Sequence, residues 1–192
     1  LSHPAFVVVA VAAAMAYISQ GVTFSITNYL YLYVWRFTAT AFSLYPLILF
    51  GSVIGAFFLV APLHHRLGKK QSAVVCALAG MAFWVAPFVL RLLRLWPAEG
   101  TALSSGLLFA FVFVGNMLGI TVMISASSMV ADVVEASQEQ TGRRSEATFF
   151  AGNFFVQKCA TGLGIFLTGQ IVGLSGLPAK ALPGAVDMAV LD

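Results

Sequence analysis

Residues Met129–Lys158, MVADVVEASQEQTGRRSEATFFAGNFFVQK, hold four of the chain's seven acidic residues and lie between two long apolar runs. Asp132, Glu135 and Glu139 are spaced three and four residues apart, so a helix continuing through them would carry all three on one face. The Thr141-Gly142 break, Arg143, Arg144 and Glu146 follow, and the chain then re-enters an apolar run containing one lysine, Lys158. Helical rise puts that ammonium roughly 17 Å beyond Ala147, near the middle of a hydrocarbon core roughly 30 Å thick. An ionisable residue at that depth points to function.

Composition fixes the class. With 192 residues, 60% hydrophobic and 9% charged, the chain carries more apolar surface than a soluble core of this size can cover, so it reads as an integral membrane protein. Its formal charge of +3 comes from short Lys/Arg clusters between apolar runs, a topogenic pattern that gives no reason to expect nucleic acid. Cys76 and Cys159 both lie in apolar runs and read as small buried hydrophobes. No signal peptide is visible ahead of the first apolar run.

Five spans follow, at about residues 4–34, 42–63, 72–93, 102–134 and 147–174, with 175–192 a Pro-interrupted loop. An odd number places the two ends on opposite sides of the membrane. On the first span Tyr17, Gln20, Gly21, Phe24, Asn28 and Tyr31 share a face, either as an interhelical seam or as the lining of a hydrated path. Tyr29, Tyr31, Tyr33 and Trp35 crowd its exit, where an aromatic belt is expected. The second span carries Gly51, Ser52 and Gly55 for close packing and ends in a basic turn, Pro62 to Lys70. The adjacent histidines lack metal-ligand spacing and read as interfacial. Pro87 kinks or ends the third span. Asn153 and Gln157, one turn apart on the glycine-rich fifth span, lie near Lys158.

Loop Lys and Arg number five on one side (Arg66, Lys69, Lys70, Arg143, Arg144) and four on the other (Arg36, Arg91, Arg94, Lys180). The majority side is expected to be cytoplasmic.

The blocks Met129–Glu135, Thr141–Glu146 and Phe155–Lys158, with the short Arg66–Lys70 turn, resemble the glycoside-pentoside-hexuronide:cation symporters, a melibiose permease-like family of the major facilitator superfamily. The resemblance implies an all-α, polytopic fold in which this chain supplies five helices of the C-terminal six-helix bundle. The N-terminal half and the last helix would lie outside it. It also implies cation-coupled (Na+ or H+) symport of a sugar or glycoside by alternating access, in a bacterial-type inner membrane and in contact with lipid. Lys158 would serve coupling and substrate binding, with Asn153 and Gln157 facing the sugar. Met123 stands where the family's best-known member packs an aromatic ring on it, and Tyr17, Gln20 and Asn28 would complete the lining. Asp132, Glu135, Glu139, Arg143, Arg144 and Glu146 would form a cytoplasmic gate.

Two other functions are open to the same residues: a carrier of this architecture for a non-sugar amphiphile such as a lysolipid, and a non-transporting membrane scaffold. No enzyme is expected, since the histidines lie at the terminus or in a loop, away from any nucleophile-base pair. No cofactor or metal is expected either.

Overall fold

The computed structural model describes residues 4–141 and 146–174, and among these every regular element is helical. Helix α1, Pro4–Tyr29, continues into a π-helical turn, Leu30–Val34. Helix α2 spans Ala39–Leu92, α3 Ala102–Thr141 and α4 Glu146–Leu174. The proposed gate residues Arg143 and Arg144 lie outside the described residues, as do the side chains of Glu135, Glu139, Glu146 and Asn153. So do residues 175–192, the expected loop. The helices form two compact units, one of residues 1–36 with 146–192 and the other of residues 37–145.

In the first unit α1 and α4 run parallel. Successive contacts climb both helices together, from Tyr17 with Thr161, through Gly21 with Thr161 and Gly164, to Val22 with Thr168. A Cβ at Gly21 would overlap the Thr161 carbonyl, and one at Gly164 would overlap the Ile18 carbonyl. Glycine is therefore required at both places, because the obstacle is backbone and cannot move aside. The threonine hydroxyls complete the seam: Thr161 Oγ1 donates to the Tyr17 carbonyl, and Thr168 Oγ1 is shared between the carbonyls of Val22 and Gly164.

In the second unit α2 is two helices joined at a corner. As one straight helix its 54 residues would measure about 81 Å, far more than a bilayer core needs. Gly68, with φ 75° and ψ 165°, breaks it. The expected basic turn from Pro62 to Lys70 is thus almost wholly helical, because only Gly68 leaves helical geometry and Ser72 Oγ then caps the corner, donating to the carbonyls of Leu63 and Gly68. Pro87 does not end the helix, which continues to Leu92. Thr38 opens the element as N-cap, its hydroxyl accepting from the Ala41 amide.

Both arms of α2 pack on α3. Ser52 and His64 meet Asn116 and Ser125 in rising order, so the first arm is parallel to α3, and Lys69 at the corner meets Asp132. Beyond the corner the order reverses, with Gly80 against Leu118 and Trp84 against Gly115. Helix α3 itself continues through the acidic cluster to Thr141.

Among the described residues large apolar side chains lie outside the packing seams: Leu47, Phe50, Phe57 and Phe58 are all at least 64% exposed. Helix α2 and the stretch Ala102–Met129 of α3 are long and apolar enough to cross a membrane. An apolar exterior of this extent is stable in lipid and not in water. Cys76 is buried as expected, but Cys159 is exposed, because it lies off the α4 seam.

The Gly164→Val substitution should lower the thermal unfolding midpoint in detergent, with a loss of about 1–3 kcal/mol from overpacking. Gly162→Ala, whose added methyl meets nothing within 4 Å, should not. Equal behaviour of the two variants would show that the seam is not held by backbone contact.

Candidate functional site

The α1–α4 seam determines where the candidate binding residues point. On α4 the seam follows Thr161, Gly164 and Thr168, and Lys158 lies about a quarter turn away from it at 100° per residue. On α1 the seam follows Ile18, Gly21 and Val22. Tyr17 and Asn28 are offset to one side, and Phe24 and Gln20 lie further round on that side. For two parallel right-handed helices these offsets fall on the same side of the pair. Lys158 and Phe154 of α4 therefore share a face with Tyr17, Gln20, Phe24 and Asn28 of α1.

On that face Gln20, Asn28 and Lys158 are exposed, as are the rings of Phe24 and Phe154. Tyr17 and Gln157 are half-buried, Gln157 lying towards the seam. Lys158 sits twelve residues into the 29-residue α4, about 18 Å from its start. Among the described residues no carboxylate approaches its ammonium within ion-pair distance.

The apolar-polar stripe of the first span is divided by this packing. Gly21 is buried in the seam, while Gln20, Phe24 and Asn28 remain outside it. Tyr31 and Trp35, expected in an interfacial aromatic belt, are 3% and 1% exposed and so are interior residues. Met123 belongs to the other unit, where it is exposed on α3.

The second unit builds a charged corner. Lys69 Nζ contacts both carboxylate oxygens of Asp132, at 2.7 and 2.6 Å. Asp132 thus has a partner at the α2 corner, one the sequence did not single out. About two turns back along α3, Ser125 Oγ lies 2.7 Å from His64 Nε2. The Ser125 hydroxyl also lies 2.8 Å from the Thr121 carbonyl, and with its proton directed there it accepts from His64 Nε2. Deeper in the unit Asn116 Nδ2 donates to Ser52 Oγ, which donates in turn to the Leu49 carbonyl. None of these pairings was visible in the sequence. Their only signal was small or polar residues recurring on apolar helices.

Across residues 1–191 the chain matches the family model described as MFS/sugar transport protein. The chain belongs to that family. A transporter family accounts for a lipid-facing exterior combined with an exposed lysine half-way along a helix. The chain is also similar to an uncharacterized symporter of Synechocystis sp. (strain ATCC 27184 / PCC 6803 / Kazusa), at 32% identity over 83 residues. That stretch covers 41% of this chain and 15% of the relative. No solved structure matches.

The corner ion pair is open to test. With its two side chains 37% and 54% exposed, a double-mutant cycle of Lys69→Ala and Asp132→Ala should give a coupling of about 0.2–1 kcal/mol. High salt should reduce it. Strict additivity in thermal unfolding at low salt would show that the contact contributes nothing.

Proposed function

We propose that this chain is a C-terminal-half segment of a cation-coupled symporter that carries a sugar or glycoside across a cell membrane by alternating access. The observation that carries the reading is Lys158: exposed, half-way along α4, and on the same side of the helix pair as Gln20 and Asn28. A charge at the bilayer centre costs roughly 2.5–3.5 kcal/mol on insertion scales, and an uncompensated cost of that size favours a partner in the rest of the carrier. Carboxylates supplied by the other half would pair with the ammonium, and a Na+ or H+ entering their cluster would compete with it. Ion occupancy and the geometry of the sugar-binding amides would then be linked.

Within this reading Lys158, Gln157, Asn153, Tyr17, Gln20 and Asn28 bind substrate, with Met123 contributing from α3. Asp132 with Lys69, joined by Glu135, Glu139, Arg143, Arg144 and Glu146, forms a gate that closes one side by ion pairing. The side with more loop Lys and Arg is cytoplasmic, and the protein is a multi-pass component of a bacterial-type inner membrane.

Uptake by the complete carrier containing this chain, measured in vesicles with a panel of labelled sugars and glycosides under imposed Na+ or proton gradients, tests the proposal. Lys158→Ala should abolish gradient-driven accumulation while membrane insertion is kept. Accumulation at the normal rate and with the normal ion dependence in that variant would leave Lys158 a tolerated interior residue and sink the coupling scheme. Absence of uptake for every sugar tested, with amphiphiles accumulated instead, would replace the substrate class.

A further inference from the structure

The C-terminal end of α1 departs from α-helical geometry twice within seven residues. Leu30–Val34 forms a π-helical turn in which the Trp35 amide donates to the Leu30 carbonyl at 2.9 Å. Arg36 follows at φ 50°, in the left-handed region that non-glycine residues seldom occupy. Tyr29 and Tyr33 stack with ring centroids 6.5 Å apart and planes 17° from parallel, while Tyr31 and Trp35 turn into the protein. About two turns earlier α1 is anchored to α4 by backbone contact at Gly21. A regular, tightly held helix thus runs into a rare, locally strained turn, a geometry that recurs at functional sites.

We propose that Leu30–Trp35 is a conformational switch in which the π-turn interconverts with an α-helical turn. Closing to α-geometry moves the Trp35 amide from the Leu30 carbonyl to that of Tyr31. The donor keeps an acceptor throughout, so the change suits a low-dielectric setting in which an orphaned amide is costly. Removing one residue from the turn rotates the residues after it by about 100°. Trp35 then leaves its interior position and Arg36 leaves the left-handed region. In the carrier this would repack the end of α1 without disturbing the α4 seam. That role depends on the transport function proposed above, whereas the existence of two states does not, and hydrogen exchange reads the existence alone.

Hydrogen-exchange mass spectrometry on the complete carrier in lipid nanodiscs supplies the test. Amides of residues 33–36 should exchange about tenfold or more faster than those of residues 18–26. Arg36→Gly removes the left-handed penalty and should hold the π state, slowing exchange of residues 33–36 about threefold or more. Arg36→Ala removes the same side chain but keeps the penalty, and should not slow it. Unchanged exchange at residues 18–26 in both variants would establish that the fold is kept.

A second readout uses Trp35 as the carrier's sole tryptophan, after Trp84→Phe, Trp96→Phe and replacement by Phe of any tryptophan outside this chain. In that background acrylamide quenching should be weaker for Arg36→Gly than for Arg36→Ala. Exchange of residues 33–36 as slow as the seam, or the same response from the glycine and alanine variants in both measurements, would overturn the switch.

Discussion

Gly21 and Gly164 bring two helix backbones into contact, and much of the first unit depends on that approach. Lipid offers no hydrophobic gain for bringing apolar helices together, so association must come from close packing and interhelical hydrogen bonds. The two glycines allow the first and Thr161 and Thr168 supply the second. Because the seam occupies one strip of each helix, every other side chain takes its direction from it. Lys158 is exposed for that reason, and so are Gln20 and Asn28, on the side it shares with them.

The second unit solves the same problem with hydroxyl, amide and imidazole groups. Ser52, Ser72, Thr121 and Ser125 are buried, and each donates to a backbone carbonyl of α2 or α3. Asn116 and His64 then reach across to Ser52 and Ser125, so polar groups act as ties between helices without leaving these buried donors idle. Ser72 secures the corner opened by Gly68. At the far end of α2, Arg91 Nε pairs with Glu99 at 3.1 Å and the Trp96 indole donates to Ser104, tying down the connection into α3. Of these ties the Lys69–Asp132 pair is the one substantially in contact with solvent, which makes it the most easily broken and remade by a change of surroundings.

Composition and the lengths of the apolar runs were enough to determine an all-α membrane protein, because backbone groups in hydrocarbon can be satisfied within a helix and apolar surface in that amount has no other solvent. The position of Lys158 part-way along its helix was legible for a similar reason, since helical rise converts sequence distance directly into length along the axis. Glycine clusters signalled close approach, and the spacing within Met129–Lys158 carried the resemblance to a symporter family. The angular position of Tyr17, Gln20, Gly21 and Asn28 could also be read from a 3.6-residue period. Which neighbour that face would meet could not. Only the tertiary structure divided the stripe between the α4 seam and an exposed face, turned Tyr31 and Trp35 inward, left Cys159 outside, and paired Asp132 with Lys69. Each of those outcomes depends on where two helices separated by tens of residues cross. That is settled by the fit of side chains across the contact, a property of the pair that neither helix's own sequence contains.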